Sequence, residues 1–382
     1  MGQDYVGILL NSGMYRGIPQ RKTGQESLAN YEEAAGRLRL TPCFFRLGDI
    51  DLRLGTTVVY ILNGREYIKT IIPTPAVIHN RALYPEASAH RKIQKLALHG
   101  IKVFNVNNRY GKDYIHGILW SDPALRPYLP HTVSASATAL KKMQLQYDDL
   151  ILKPVRGSVG QGIMRLQRTR QHWKLTYTSA SSKKSGSATR LKYGELPVWV
   201  RRQWLRVPYL IQERIPLAEY NNRPIDLRIT IQRGIDGMWQ VTGCFAKAAP
   251  QGSFISNLGK GGDAFPAELV LSKALPGLSI SAVISNVEKL ALSCASLLSD
   301  QLPLMADLGL DIGLNTAGHP YFIECNGRDQ RYGFRKAKMY EVWQETYRQP
   351  MAFAKYLLNH SAALPIPASN SLSCDYRMVQ LR

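Results

Sequence analysis

Short apolar runs alternate with amphipathic stretches through the first 110 residues. YVGILL, TTVVYIL, TPAVIHN and IKVFNV read as buried strands, whereas Gln25 to Leu40 and Ala87 to His99 place apolar residues at helical spacing. Strands and helices in alternation predict an α/β layer structure. From Lys112 the pattern changes. A helix (KDYIHGILW) leads through a Pro-bounded loop to a second helix near Thr138 to Gln146 and the strand DDLILKPV, with QGIMRLQR and HWKLTYT following as hairpin strands. Ser179 to Thr189 is polar and rich in Ser, Gly and Lys, which predicts a flexible turn. A further set of β patterns comprises VPYLIQERI, DLRITIQR, GMWQVTGCFAKA and LGLDIGLNTAGHPYFIECN, the last a hairpin turning at NTAGHP. Val283 to Leu302 and Lys336 to Leu358 carry helical periodicity, and the Pro/Ser-spaced tail from His360 to Arg382 is expected to be poorly ordered. The chain has no internal repeat.

A chain of 382 residues supports more than one core, which excludes a single small domain. No run approaches the roughly 20 apolar residues of a membrane span. The opening MGQDYVGILLNSGMYRG lacks the layout of a signal peptide, so a soluble, cytoplasmic protein is expected. Cys43, Cys244, Cys294, Cys325 and Cys374 are scattered and form no CxxC pair, which argues against a disulfide framework or a zinc site. Lys and Arg outnumber Asp and Glu by 49 to 28, a net charge of +21. Such a field favours phosphates, acidic polymers, acidic peptides or an anionic surface.

Three groups of residues carry candidate chemistry. Lys153 closes one strand, and Gly157, Ser158, Gly160 and Gly162 follow in a loop opening the next. Backbone amides in such a loop approach phosphate oxygens closely, while Lys153 adds a point charge. The order is neither GxxxxGK[ST] nor a dinucleotide-binding fingerprint, and taken alone it is equally compatible with a β-turn beside a surface lysine. The second group is Asp311, Glu324 and Asn326. Alternation puts Glu324 and Asn326 on one strand face, and the hairpin brings Asp311 alongside. Two carboxylates and an amide oxygen make a hard-oxygen site suited to magnesium with phosphates. The competing reading, an exposed hairpin face, fits poorly with the apolar flanks GLDIGL and YFIEC. The third group is the strand YLIQERI with Gln212 and Glu213, leading through Glu219 to Asp226 and Arg228; an adenine edge suits such a strand exit, as does plain solvation.

In their joint order, Lys153 and its glycine loop, QERI, Arg228, Asn257 in SNLGKGG, Asp311 and Glu324-x-Asn326 resemble the ATP-grasp superfamily. Within it the chain is similar to the YheC/YheD group, labelled endospore coat-associated, over roughly Leu129 to Leu358 and more loosely from Gly7. The resemblance implies an α/β (α+β) ATP-grasp fold. Its parts would be an N-terminal pre-ATP-grasp α/β domain over 1–110, a central and lid subdomain over 111–209, and a C-terminal antiparallel-sheet subdomain with the magnesium site over 210–360, with a tail over 361–382. It further implies ATP and Mg2+ as cofactors, one or two ions, with Mn2+ as a substitute. Lys112 and Lys153 would contact phosphates, Gly157, Ser158, Gly160 and Gly162 form the lid, Gln212, Glu213 and Ile215 the adenine hinge, and Glu219 the ribose contact. Arg228, Lys247 and Asn257 would face the γ-phosphate and acyl-phosphate, and Asp311, Glu324 and Asn326 hold magnesium. Related ligases often carry a Pro-Gly turn after the last of these; this chain has Gly327-Arg328-Asp329-Gln330-Arg331 on what would be the acceptor side.

The implied activity is ADP-forming carboxylate–amine ligation through an acyl-phosphate, which needs no nucleophilic side chain. His116, His131, His172 and His319 accordingly read as surface or structural. Basic clusters interleaved with Trp173, Tyr177, Trp199, Trp204 and Tyr332 suggest a track for an acidic peptide or polymer, as well as a solvated face. A spore-coat scaffold, a kinase on the same fold and a single-stranded nucleic-acid binder are the competing readings, the last without any RRM, KH or zinc motif behind it.

Overall fold

The computed structural model describes residues 4–157, 160–178 and 185–360. Ser158, the first part of the predicted turn at 179–184, Cys374 and the tail at 361–382 lie outside the described residues. Three sheets organise the chain. In the first, Thr41–Phe45, Tyr5–Leu9, Val77–Asn80 and Lys102–Phe104 run parallel, and Thr56–Asn63 with its partner Glu66–Pro73 extends one side antiparallel. The period of two divides these side chains between two cores. Val6, Ile8 and Phe44 pack on the helix Leu28–Arg37, while Leu9, Phe45 and Ile78 pack with Ile93 and Leu96 of the helix Ala87–Leu98. The four predicted strands and both helices are present, most with shorter bounds, while the strand from Thr56 runs on to Asn63. Thr41–Phe45 and Glu66–Pro73 are additional strands: Pro42 interrupts the first pattern, and the second alternates on a largely exposed edge.

The second sheet is antiparallel throughout, in the order Ser185–Leu191, Trp173–Thr178, Met164–Arg168, Asp149–Pro154, Tyr209–Glu213, Thr132–Ser134. Helices Ala137–Gln146 and Val198–Arg206 cover it through Leu140, Met143 and Val200. Two expectations change here. The stretch expected to turn through Thr189 instead enters a strand at Ser185, which pairs with the strand Trp173–Thr178. The strand Tyr209–Glu213 lies inside this sheet, so the sheet ends after Glu213 and not at 209.

The third sheet, in the order Asp263–Pro266, Trp239–Ala248, Arg223–Arg233, Asp307–Leu314, Pro320–Asn326, is also antiparallel. Ile225, Leu227, Ile229 and Ile231 point to one face, joined by Leu308, Leu310 and Ile312, and are covered by the helix Ile280–Gln301. That helix is long and apolar enough to cross a membrane by length and composition, contrary to the expectation that no run approaches a span. Its face from Val283 to Leu298 is buried in this core, the position of a core helix in a folded domain. The helix Lys112–Ser121 also packs here through Ile115 and Leu119, and not on the second sheet. The helix Tyr340–Asn359 returns to the first sheet, where Tyr347, Met351 and Leu357 complete its core.

A buried ionic cluster joins the first and third sheets. Arg81 bonds Glu26 at 2.7 Å and Asp307 at 3.0 Å, and Arg331 bonds Asp307 from the loop after the last strand. Asn105, with positive φ, donates to the carbonyls of Asp307 and Gly327 across the same junction. Two arginines against two carboxylates leave the cluster neutral, with His79 Nε2 3.3 Å from Asp307. Burial pushes His79 down to about 4 against the pull of Asp307, so the ring is neutral. Burial also raises Glu26 and Asp307, but the arginines outweigh it and hold both carboxyls below their usual range.

Asp307→Ala strands two buried guanidiniums on one carboxylate and should destabilise the protein by about 3–5 kcal/mol in urea unfolding. In the parent protein His79, Glu26 and Asp307 all bind protons more readily when unfolded. Stability should therefore fall as pH drops from about 6.5, first through His79 and then through the carboxyls; a pH-independent urea midpoint between 6.5 and 4 would contradict this.

Candidate active site

The face of the third sheet opposite its apolar core is polar, although almost fully buried. Along Arg223–Arg233 every second residue is Asp226, Arg228, Thr230 and Gln232, and all four are buried. Lys247 lies opposite Asp226, and Asp311 opposite Arg228, in register. Arg228 Nε and Nη2 grip Asp311 at 2.7 and 3.2 Å, and its Nη1 reaches Asp329 at 2.9 Å. Lys247 Nζ sits 2.9 Å from both Asp226 and Asp311. Ser256 donates to Asp226, and Thr230 donates to Asp329. Burial raises Asp311, yet Arg228 and Lys247 overcome it and hold the carboxyl at about 2. Asp226 is pushed up to about 6 by burial first and by the charge of Asp311, with Lys247 opposing.

At the edge of this floor a β-bulge between Asp311 and Ile312 sets the register of the hairpin. Asp311 pairs with Glu324 while Phe322 still faces the core, so Glu324 and Asn326 join the polar face. Lys112, first residue of its helix, places Nζ 3.1 Å from Glu324 and 3.5 Å from the Gly157 carbonyl. Lys153 is buried and donates to Gln212 Oε1 at 3.0 Å, and Gln212 in turn donates to Thr132. These residues line one cleft between the second and third sheets, with Tyr110 and Phe322 in its walls. The loop above it turns at Gly160 and Gly162, both with positive φ that a Cβ would oppose. Tyr209 donates to the Gly162 carbonyl and Lys260 to that of Gly160.

The structure thus brings together Lys112, Lys153, Gln212 and Glu324 at the cleft, and Arg228, Lys247 and Asp311 on the floor. Glu213 accepts from the backbone N–H of His131 at 2.9 Å, which fastens a strand end. Ile215 is half-buried past that strand, and Glu219 is exposed on the short strand Glu219–Tyr220; neither lines the cleft. Asn257 caps a short turn by accepting from Gly259, while its neighbour Ser256 reaches the floor. Asp226, Thr230, Ser256 and Asp329 were not anticipated as a connected set, although the alternation in DLRITIQR carries the signal. His116 lines the cleft, and burial pushes it down to about 4. Arg201 and Arg202 are exposed on the helix Val198–Arg206 and line neither this cleft nor the cavity beside the first sheet.

Magnesium fits these residues on charge and donor type. Asp226, Asp311 and Asp329 set three carboxylates against Arg228 and Lys247, leaving the floor short of positive charge. Asn326 Nδ2 is buried without a hydrogen-bond partner, so no bond from that atom fixes which way round its amide sits. Among the described residues no three His, Cys, Asp or Glu side chains gather as a metal cage. Magnesium bound through one or two carboxylates and substrate phosphates requires none.

A family model described as YheC/D-like ATP-grasp matches residues 100–357. The chain belongs to this family. The match begins before Leu129 and so takes in Lys112 as well as the floor. Among curated relatives, this YheC/D-like protein is 25% identical over 348 residues to the endospore coat-associated protein YheD of Bacillus subtilis, covering 88% of the chain and 74% of YheD. It is 21% identical over 332 residues to YheC of the same organism, covering 85% of the chain and 89% of YheC. Among solved structures, D-cycloserine synthetase DcsG superposes with a TM-score of 0.52 at 12% identity, over 92% of this chain and 99% of that one. D-alanyl-alanine synthetase A from Vibrio cholerae gives 0.52 at 12% identity, over 94% and 97%. These likenesses show the ATP-grasp fold.

Gly309 faces the floor, where a Cβ would overlap the Asp329 carboxylate and crowd Arg228 Nη1. Gly309→Ala in this YheC/D-like protein should cost about 1–3 kcal/mol in urea unfolding. A midpoint equal to the parent's would show that Asp329 is not held against Arg228.

Proposed function

We propose that this protein is an ATP-dependent carboxylate–amine ligase that releases ADP and acts on an acidic substrate. The observation that carries it is the convergence of Arg228, Lys247, Lys112 and Lys153 on a face whose acids, Asp311 and Glu324, stand opposite each other in register. Cations around a narrow cleft suit a transferring phosphoryl group, for which positioning and charge neutralisation supply most of the catalysis. In the proposed reaction a substrate carboxylate oxygen attacks the γ-phosphorus, the bond to ADP breaks, and an amine then displaces phosphate from the acyl-phosphate to form an amide. Arg228 and Lys247 would face the transferring group, Lys112 and Lys153 would bind phosphates, and Gln212 would orient the base. Magnesium, held by Asp311, Glu324 and Asn326, would neutralise phosphate charge. No protein nucleophile is needed: Cys325 lines the cleft, but burial and then Glu324 push its thiol up to about 12. The names of YheC and YheD support a place for the protein at the endospore coat.

Mass spectrometry of the protein incubated with Mg-ATP and pooled amino acids, acidic peptides and cell extract tests the proposal. A ligase yields ADP and a product one water lighter than its two inputs. A stable phosphorylated product would make it a kinase, and bound ATP without turnover a scaffold. Glu324→Ala should abolish substrate-dependent ADP release; undiminished release would remove Glu324 from the site.

Burial pushes Lys153 down to about 8 from 10.5, opposed by Glu324 and aided by Lys112. A neighbouring phosphate favours the ammonium form, so nucleotide binding takes up a proton at higher pH. Affinity should be flat below about pH 8 and weaken as pH rises toward 10.5. Calorimetry in buffers of different ionisation enthalpy reads that uptake, and its absence at pH 9 would separate Lys153 from the phosphates.

A further inference from the structure

A cavity of about 500 Å3 opens between the first sheet's loops and the loop after the last strand of the third. Its charged lining is Lys22, Glu26, Arg81, Arg328, Asp329 and Arg331. Most of this charge is already matched. Arg81 bonds Glu26 and Asp307, Arg331 bonds Asp307, and Asp329 bonds Arg228. Arg328 is different. Among the described residues its side-chain bonds are long ones from Nη1, to Asn11 Oδ1 at 3.4 Å and the Arg81 carbonyl at 3.3 Å, both neutral acceptors, and it makes no ion pair. Burial lowers its pKa, as do the charges of Arg81 and Arg109, with only Glu26 opposing. Lys22 is exposed at the same cavity and likewise without an ion pair among the described residues. Two uncompensated cations thus face a space suited to a small ligand. Asp329 is part of its wall and bonds Arg228 at 2.9 Å, so the cavity lies one hydrogen bond from the floor.

We infer that this cavity selects the substrate, an acidic amino acid or short acidic peptide with at least two carboxylates, one of them held by Arg328 and Lys22. The planar guanidinium matches a carboxylate in a forked pair, and Lys22 adds a point charge. The second carboxylate is thereby presented toward Arg228. This rests on the ligase proposal for the reaction, but the selection of an anion stands on the cavity itself. It assigns recognition of acidic substrates to the cavity and not to the exposed Arg201 and Arg202 of the second sheet's helix.

Calorimetry of the full chain, with and without Mg-ADP, tests it using L-glutamyl-L-glutamate, N-acetyl-L-glutamate, L-alanyl-L-alanine and inorganic phosphate. The glutamyl ligands should bind at least about tenfold tighter than alanyl-alanine. Arg328→Gln and, separately, Lys22→Gln should each weaken glutamyl-glutamate about tenfold while leaving Mg-ADP affinity at the parent value. Arg328→Lys should recover part of the loss, and Arg201→Glu with Arg202→Glu should change nothing. Equal binding of alanyl-alanine, phosphate binding in place of any carboxylate, or loss only in the Arg201/Arg202 variant overturns the inference. Glutamyl binding that depends on Arg328, without amide formation on adding ATP, supports the cavity and overturns the ligase proposal. Amide formation from neutral substrates at parent rates in Arg328→Gln does the reverse.

Discussion

The architecture depends on burying the polar side of a central strand. Arg223–Arg233 is covered on both faces, and four of its residues on one side are Asp226, Arg228, Thr230 and Gln232. Removing such groups from water is costly unless each meets a partner of matching charge or hydrogen-bonding type. Every one of them does: Lys247 and Ser256 for Asp226, Asp311 and Asp329 for Arg228, Asp329 for Thr230, Asp307 and the Thr346 carbonyl for Gln232. Those partners come from the neighbouring strands, from the loops after Ala248 and after Asn326, and from the helix Tyr340–Asn359. Closing that polar face therefore requires the first sheet, which supplies Arg81 and Glu26, to be docked on the third.

Much of the architecture was legible from periodicity because the same rule operates in reverse on the other side. Isoleucines and leucines at every second position of DLRITIQR and LGLDIGL declare strands, and the helical spacing from Val283 declares the helix that covers them. Less legible were the strands that break pattern, TPCFF with its proline and the exposed edge Glu66–Pro73. The site divides the same way. Asp311 opposite Glu324 follows from hairpin register, and Lys153 from its place before a glycine loop. Asp329, Asp307 and Arg81 do not, since their partnership depends on Arg81 meeting segments more than 200 residues further along the chain across a junction. Asn257 and Ser256 show the limit of local reading: adjacent residues in one loop, of which one caps a turn and the other reaches the floor.

Net charge alone conceals where the positive surplus acts. The buried clusters are balanced or short of cations, so the excess lies elsewhere. From Thr132 to Glu213 there are 15 Lys and Arg against 4 Asp and Glu, which is 11 of the surplus of 21 in the stretch of sequence that includes the second sheet and its helices. That distribution sets cation-rich elements above an acid-rich floor. Under the ligase proposal, a polyphosphate between them would be attracted from above, while a divalent cation at Asp311 and Glu324 would answer the deficit below.

The contacts between these layers also differ in kind. First and third sheets are joined by buried, charge-assisted bonds near 2.7–3.0 Å through Arg81. Two of the second sheet's side-chain links to the rest are longer, from Lys112 to the Gly157 carbonyl at 3.5 Å and from Lys260 to the Gly160 carbonyl at 3.3 Å, at a loop where Gly160 and Gly162 already occupy the left-handed region. Lengthened, partly solvated bonds open at lower free energy than buried ionic ones. Any opening would therefore fall to the second sheet, which carries Lys153 and Gln212, while Asp311, Glu324 and Arg228 belong to the third. Under the ligase proposal, this division would let Lys153 and Gln212 move with the second sheet while Lys112, Arg228, Lys247 and the acids keep their places, separating nucleotide entry from the geometry of the reacting groups.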